Sequence, residues 1–423
     1  MKQAVKNLIG RNNARRVSLV RDYVSVFAHR SWRSCKFYFR GEGIRLPKIE
    51  RFSVSRGQTF FGYYDVTPFS KDNNIILAMV GPRKNRPPIR NEEIFVGYFD
   101  RNSDRGFRPL DESSTWCWQM GCRLQWFPEH ENELVIYNKI VDHVYGSVVQ
   151  NIKTKEILRS YKKPIYQIDR TGKWALFLNF SRLHRLRPGY GYRNIADSTE
   201  KEPYPDDDGV WLMDLVNGEA ELIVSLKHLS QIDPLPSMKG AEHYINHLAF
   251  NLSGNRFMFF HLWIKDERQH NRLITCDRDG LNLYVLENEG SVSHYSWKSD
   301  TELLVTVCRK NKGTHYVSYR DLSDERTVIG RDLLFRDGHP SYSPDGSLLL
   351  TDTYPNKYRE QHVLLYTSGG NLVELIRFFS PVPFRGEVRC DLHPRWDRTG
   401  QNVCVDSAHD GRRALYVIGL EAF

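Results

Sequence analysis

Four histidines occupy equivalent places in a repeated sequence pattern, and their chemistry is the first indication of function. Each begins a short strand-like run, in "NHLAF", "SHYSW", "GHPSY" and "LHPRW", and the four are His247, His294, His339 and His393. Neutral imidazole nitrogens are good ligands for Zn²⁺, Mn²⁺ or Fe²⁺. If the four segments converge, the sequence predicts a divalent-metal site. The alternative is that each repeat reuses a histidine as a structural hydrogen-bonding residue.

A carboxylate accompanies the last of these histidines. Asp391 lies two residues before His393, and in an extended strand such residues point to the same side. We therefore expect Asp391 to add an oxygen ligand to the predicted site.

The segments that carry the histidines belong to seven copies of one pattern. Each copy is an alternating run, a polar turn such as "SPDG" or "DRTG", and an apolar run. The copies start at residues 61, 121, 164, 244, 292, 338 and 391. This pattern predicts two antiparallel strands joined by a tight turn. Repeats of roughly 40–50 residues, as in WD40-like repeats, indicate a β-propeller with one blade per copy.

Composition agrees with one all-β domain preceded by a basic arm. Residues 1–50 contain 12 Lys+Arg and 3 Asp+Glu, and the remaining residues are balanced. We expect an arm over residues 1–48 and a seven-bladed propeller over residues 49–423. Val17, Val20, Val24 and Phe27 fall at helical spacing among arginines, so the arm is predicted to be partly helical.

The basic arm has two interpretations. One is a helix that rests on an anionic membrane surface, and the other is an arm packed over the propeller. Apolar stretches are too short for a secretory signal, and the 7 cysteines include no CxxC pair. We expect a cytoplasmic protein in a reducing compartment with peripheral contact at the inner membrane surface. Nucleic acid is not an expected partner, because the rest of the chain adds no excess of basic residues.

Two of the repeat units resemble those of a known enzyme family. The units "HPSYSPDG" and "HPRWDRTG…DSAHDGRRALYV", together with "FGYYD", look like those of the seven-bladed propeller polysaccharide lyases. These include the oligogalacturonate lyases, which hold a divalent metal through propeller histidines, and the ulvan lyases. The resemblance covers most of residues 55–420 and implies a lyase acting on an acidic, uronate-containing polysaccharide. The oligogalacturonate lyases carry a His-x-His pair where this chain has Asp391-Leu392-His393.

A uronate lyase needs a cation that neutralises the C6 carboxylate, a base for the C5 proton and an acid for the leaving oxygen. The long polar insertion at residues 181–209 contains "RPGYGYR" and is predicted to grip a sugar acid. The predicted catalytic residues are His143 (the base), Arg123, Tyr190, Tyr192 and Tyr64. The predicted substrate-binding residues are Arg187, Arg193 and Tyr63.

Three functions remain open from the sequence. The first is a polysaccharide lyase, with Mn²⁺, Zn²⁺ or a similar ion as cofactor. The second is a non-catalytic propeller that binds a glycan or a protein partner in polysaccharide assembly. The third is a metal-dependent glycan hydrolase or transferase that uses the same histidines.

Overall fold

The seven sequence repeats fold as seven four-stranded antiparallel sheets arranged as the blades of a propeller. This confirms the predicted fold class. The computed structural model describes residues 47–310 and 312–421. The predicted helical arm and its membrane contact fall on residues 1–46 and so lie outside the described residues.

The strands follow one another in chain order, four to a blade, after a first strand that belongs to the last blade. The first half comprises β1 (Ile49–Phe52), β2 (Gln58–Phe60), β3 (Ile75–Gly81), β4 (Ile94–Asp100), β5 (Phe107–Ser113), β6 (Gln125–Trp126), β7 (Leu134–Val141), β8 (Val144–Asn151), β9 (Ile157–Tyr161), β10 (Gln167–Ile168), β11 (Trp174–Phe177), β12 (Gly209–Asp214), β13 (Ala220–Ser225) and β14 (Glu242–Phe250). The second half comprises β15 (Arg256–Lys265), β16 (Arg268–Asp277), β17 (Tyr284–Glu287), β18 (Ser291–Trp297), β19 (Glu302–Arg309), β20 (Gly313–Arg320), β21 (Arg326–Ile329), β22 (Ser341–Tyr342), β23 (Leu348–Asp352), β24 (Glu360–Thr367), β25 (Leu372–Phe379), β26 (Arg395–Trp396), β27 (Asn402–Ser407) and β28 (Ala414–Gly419).

The ring is closed by strands from both ends of the described chain. Strand β1 is the outer strand of blade seven and pairs antiparallel with β28, from Ile49 opposite Ile418 to Phe52 opposite Leu415. The repeat pattern did not reveal this strand, because it is only four residues long and stands apart from the three strands that it completes. This pairing gives the last blade its fourth strand and joins the two ends of the described chain in one sheet.

The polar turns between the first two strands of each blade have the conformation that their residues favour. Gly346 in "SPDG" and Gly400 in "DRTG" adopt φ of +73° and +72°, a region open to glycine at low cost. The carboxylates of Asp345 and Asp397 accept backbone hydrogen bonds within the same turns, from Ser347 N and Thr399 N. Local sequence therefore explains the hairpins from which the blades are built.

The insertion after strand β11 is folded and anchored. It begins as helix α1 (Phe180–Leu186), whose N-cap Asn179 accepts from the Arg182 amide. The buried Arg182 guanidinium donates to the carbonyls of His243, Glu202 and Pro203. We call residues 181–208 the lid segment. Outside the blades lie also helix α2 (Leu226–Gln231) and 3₁₀ turns at Pro236–Met238 and Gly386–Val388.

Two further features of the described residues concern cysteines and helices. The six cysteines among them are all unpaired thiols. In the same part of the chain, no helix has the length and apolar character needed to cross a bilayer.

Candidate metal centre in the propeller channel

The innermost strand of each blade delivers side chains to the central channel. In an antiparallel four-stranded blade, the connection from the preceding blade arrives at the start of the inner strand, so these starts surround one mouth of the channel. His247 and His294 lie at register shifts within β14 and β18, while His339 and His393 precede β22 and β26. Bulges of this kind re-aim a side chain beside functional sites.

Three of the predicted metal ligands meet in one group. Within residues 47–310 and 312–421, His339, Asp391 and His393 are the one set of three His, Cys, Asp or Glu residues whose ligand atoms all lie within 4.8 Å of one another. His339 Nε2, His393 Nε2 and Asp391 Oδ1 are buried and have no hydrogen-bond partner. Each unsatisfied buried polar atom costs about 1–3 kcal/mol. A bound cation would remove that cost at all three atoms, so the donor set fits a divalent metal.

The tautomers of the two histidines agree with this interpretation. The Nδ1–H of His393 donates to the Gly62 carbonyl at 2.8 Å, and the Nδ1–H of His339 donates to Asp352 Oδ1 at 2.7 Å. Both Nε2 atoms therefore present lone pairs to the shared space. Asp352 also accepts from the backbone amides of His339 and His393, at 2.8 and 3.2 Å, so one buried carboxylate positions both imidazoles.

The electrostatic surroundings differ between these two imidazoles. Burial is the largest influence on His393 and lowers its pKa well below the usual range, with neighbouring His339 acting in the same direction. Burial also acts to lower the pKa of His339, but the carboxylates of Asp352, Asp391 and Asp337 together outweigh it and raise the pKa. His393 is thus neutral and ready to ligate, while His339 is held by negative charge that would also attract a cation.

His294 lies beside this group and has its own carboxylate partner. Its ring centroid is 4.2 Å from that of His339, and its Nδ1 contacts Asp337 Oδ1 at 3.0 Å. Thr306 and Ser293 donate to the same carboxylate at 2.9 and 2.7 Å. Burial is the main cause of a lowered pKa at His294. The arrangement is a neutral imidazole oriented by an ionised carboxylate, which is the geometry of a general base.

Asp337 was missed in the sequence although a signal was present. "DGH" at residues 337–339 has the same Asp-x-His spacing as "DLH" at residues 391–393. The two aspartates have different partners, because Asp337 bonds His294 of the preceding blade whereas Asp391 joins the ligand group. Spacing alone could not assign these roles, since they depend on which inner strand each aspartate faces.

His247, the fourth predicted metal histidine, does not join the ligand group. Its Nδ1 contacts the Tyr166 hydroxyl at 3.2 Å and its Nε2 contacts Asn246 Nδ2 at 3.1 Å, so both ring nitrogens have partners. Tyr63 stacks on its ring at a centroid distance of 5.0 Å and packs edge-on against His393 at 4.9 Å. This placement corrects the expectation that four equivalent histidines converge: Tyr63 lies between His247 and His393 of the candidate ligand group.

Arg123 and Tyr64, both predicted to be catalytic, are used to hold the channel together. The buried Arg123 guanidinium forms a two-pronged ion pair with Asp65, at 3.0 and 2.9 Å, and donates to the Tyr166 carbonyl at 2.6 Å. The Tyr64 hydroxyl donates to the carbonyl of Tyr295 and accepts from its amide, both at 2.8 Å. Neither polar group is left to act on a substrate in this arrangement. The pairing partners lie 58 and 231 residues away, which is why the sequence did not show them.

The lid segment brings one of its predicted tyrosines to the channel. The ring centroid of Tyr190 lies 5.9 Å from that of His247 and 6.4 Å from that of Tyr63. The half-buried Arg187 guanidinium lies 4.5 Å from the centre of the Tyr190 ring. Tyr192 instead stacks on Phe180 at 4.3 Å, and its hydroxyl accepts from Asn138. Tyr192 therefore helps to anchor the lid segment and does not reach the channel.

The two remaining predicted residues lie away from the ligand group. His143 is exposed in the two-residue turn between β7 and β8 and adopts φ of +68°. Arg193 is exposed and donates to the Pro88 carbonyl in the loop after β3. The structure thus does not bring His143, the predicted base, together with the metal ligands.

Two residues that the sequence did not single out lie at the half-exposed edge of the site. The Tyr354 hydroxyl contacts His294 Nε2 at 3.4 Å. Arg389 Nε donates to Asp391 Oδ2 at 2.6 Å, and its guanidinium carbon lies 5.7 Å from the centre of the Tyr354 ring. Both come from loops between strands, outside the repeat pattern that revealed the histidines.

Comparison with solved structures places the fold among known propellers. An oligogalacturonate lyase in complex with manganese superposes with a TM-score of 0.61 at 14% identity, covering 89% of this chain and 97% of that one. An oligogalacturonate lyase from Vibrio parahaemolyticus gives 0.60 at 13% identity with the same coverage. The tricorn protease gives 0.50 at 10% identity, covering 90% of this chain and 35% of that one. The chain therefore has the seven-bladed fold of the oligogalacturonate lyases, as its sequence motifs suggested.

No protein-family model matches the chain, and no curated protein matches it by sequence.

Proposed function

We propose that the protein is a metal-dependent polysaccharide lyase that cleaves a uronate-containing glycan by elimination. The observation that carries this proposal is the convergence of three unpartnered buried ligand atoms, from His339, Asp391 and His393, beside a carboxylate-bound imidazole. The fold shared with an oligogalacturonate lyase solved with manganese supports the same interpretation.

Two imidazoles and one carboxylate would hold the metal. Mixed nitrogen and oxygen ligands suit Mn²⁺, Zn²⁺ or Fe²⁺, and three protein ligands leave positions open for substrate oxygen. A divalent ion bound there would neutralise the C6 carboxylate of a uronate and so acidify its C5 proton.

His294 is the proposed base in place of His143. Asp337 holds its Nδ1–H, and the low pKa caused mainly by burial keeps Nε2 unprotonated near neutrality. Nε2 takes the C5 proton, and the electron pair of the broken C5–H bond forms the C4–C5 double bond while the C4–O bond breaks. General base catalysis of this kind contributes about 10²–10⁴-fold.

Tyr354 is the proposed acid. Its hydroxyl contacts His294 Nε2, so it stands beside the base, and burial raises its pKa well above the usual range. The phenol is therefore protonated and can deliver its proton to the departing C4 oxygen. The proton taken by His294 can then return to the phenolate across the same contact, which restores both groups.

Cations and rings at the edge of the site would bind the glycan. Arg187 lies over Tyr190 in the lid segment, and Arg389 lies beside Tyr190 and Tyr354. Guanidinium groups pair with carboxylates. An acidic polysaccharide is accordingly the proposed substrate class.

The direct test is ultraviolet absorbance of the conjugated C4–C5 double bond during incubation of the metal-loaded protein with a panel of polyuronides. We expect absorbance to rise on at least one substrate with the wild type. His294→Gln should bind the metal as the wild type does and produce no rise. A wild type that binds metal but forms no double-bond product would favour the hydrolase or transferase alternative. A wild type that binds no metal would favour the non-catalytic binding module.

A further inference from the structure

The three proposed metal ligands differ in the hydrogen-bond partner that orients each of them. A carboxylate holds His339 and a backbone carbonyl holds His393, but Asp391 is held by the cation of Arg389. We propose that Arg389 is a positioning residue that fixes Asp391 in the rotamer that ligates the metal. This inference rests on the metal centre of the proposed function.

The two oxygens of Asp391 are in different situations. Oδ2 accepts from Arg389 Nε at 2.6 Å, whereas Oδ1 is buried without a partner and is the oxygen left free to ligate an ion. A carboxylate with one oxygen fixed by a charge-assisted hydrogen bond keeps the other in a defined direction. The side chain of Asp391 is 1% exposed and that of Arg389 is 27% exposed. The arginine therefore lies on the solvent side of Asp391.

Arg389 is itself held in place at both of its ends. Its backbone carbonyl accepts from Gln119 Nε2 at 3.1 Å and from Arg413 Nη2 at 2.9 Å. At the other end, its Nη2 donates to the Tyr190 hydroxyl of the lid segment at 2.9 Å. The guanidinium is thus held in position before any metal binds. A residue that orients a metal ligand must be fixed in this way.

The positioning role can be separated from a purely electrostatic one because the two have opposite signs. A cation close to a divalent ion repels it, so by charge alone the loss of Arg389 would tighten metal binding. The loss of a group that orients a ligand weakens metal binding, typically by about 10–100-fold. The direction of the change therefore identifies the role.

Isothermal titration of metal-free full-length protein with Mn²⁺, and separately with Zn²⁺, tests this inference. We expect Arg389→Met to weaken metal binding by about 10–100-fold and Arg389→Lys, which keeps the charge but not the planar fork, to fall between Met and the wild type. Arg187→Met is the matched control, since it removes another cation that lies over the Tyr190 ring, at 4.5 Å from the ring centre. It should bind metal as tightly as the wild type or more tightly.

Metal binding by Arg389→Met equal to or tighter than that of the wild type would overturn the proposal, and so would a wild type that binds neither ion. Thermal melting in a chelator should give one cooperative transition for Arg389→Met, at a midpoint lowered by loss of the buried ion pair to Asp391. The titration is run well below that midpoint, where both proteins are folded, so that a weakened affinity reports on the site. No glycan enters the titration. An absent lyase activity therefore leaves the ranking of affinities, and with it this inference, unaffected.

Discussion

Two clusters of buried histidines in this propeller show that burial alone does not make a site. The channel cluster consists of His294, His339 and His393, and the blade-four cluster consists of His243 and His261 on β14 and β15. All five are at most 2% exposed. The clusters differ in whether their ring nitrogens have partners.

The blade-four cluster is a continuous chain of hydrogen bonds. Arg272 Nε–H donates to His261 Nδ1 at 3.2 Å, which leaves His261 Nε2–H to donate to His243 Nδ1 at 2.8 Å. His243 Nε2–H then donates to the Met238 carbonyl at 3.3 Å. Every nitrogen is used and both rings are neutral, so this cluster has nothing to offer a ligand.

The channel cluster has the opposite property. Each of its histidines uses Nδ1 for a carboxylate or carbonyl, and the Nε2 atoms of His339 and His393 remain without partners. Buried polar atoms without hydrogen-bond partners are costly. Their concentration in the channel cluster marks it as the candidate site, in contrast to the fully bonded blade-four cluster. The predictions below test that distinction, from the largest expected effect to the smallest.

The largest effect is expected at His339. His339→Ala removes a ligand together with its link to Asp352, and we expect metal affinity to fall by more than the roughly 10–100-fold that loss of an outer-shell partner costs. Metal content after gel filtration, measured by elemental analysis, checks this. His409→Ala should keep its metal, because His409 packs on Phe378 and Tyr416 in the outer strands. Retention of metal by His339→Ala would remove the channel cluster as a metal centre.

In the blade-four cluster, a substitution should reduce stability and leave metal content unchanged. His261→Leu leaves Arg272 Nε without an acceptor and His243 Nδ1 without a donor, so we expect a loss of about 2–4 kcal/mol in the free energy of unfolding. Urea titration measures this loss, and metal content at low urea should equal that of the wild type. A stable variant that loses metal would show that the two clusters are not separate in function.

His243 of the blade-four cluster and His339 of the channel cluster should also respond in opposite ways to acid. Burial is the main cause that lowers the pKa of His243 to about 4, so the folded state resists protonation that the unfolded chain accepts near its ordinary pKa of about 6.5. Stability from this group is complete above that pH and is lost as pH falls toward 4, by up to about 3 kcal/mol. His339 has the opposite sign, because its pKa is raised in the folded state.

Urea unfolding at pH 7 and pH 5, with metal chelated, measures this difference. The double variant His243→Leu/His261→Leu should lose less stability between these pH values than the wild type, and His339→Ala should lose more. Equal slopes for all three proteins would mean that neither the His243–His261 pair nor His339 contributes to acid sensitivity.

The sequence was sufficient for the fold and for part of the site. Hairpin turns and inner-strand histidines are local features that recur seven and four times, so they could be read without a structure. Their hydrogen-bond partners could not be read in this way, because Arg123 meets Asp65 and His393 meets Gly62 between neighbouring blades, 58 and 331 residues apart in the chain. Such contacts depend on the order in which blades close, which no local pattern encodes.

The smallest effect is expected at His247, which separates the two interpretations of the four-histidine pattern. If equivalence in the repeats meant equivalence in function, His247→Asn would release metal as His339→Ala does. Its nitrogens are already bonded to Tyr166 and Asn246, however, and Tyr63 lies between it and His393. We therefore expect the metal affinity of His247→Asn to change by less than the roughly 10-fold lower limit seen for outer-shell partners.

The cost of this substitution should appear in folding instead. The Tyr166 hydroxyl is buried and loses a hydrogen-bond partner, so the free energy of unfolding should fall by about 1–3 kcal/mol. Titration with Mn²⁺ and urea unfolding of the same preparation give both quantities. A variant that loses metal and keeps its stability would mean that His247 turns toward the ligand group when the ion binds. The ligand group would then have three imidazoles, and Tyr63 would have to move aside to admit the third.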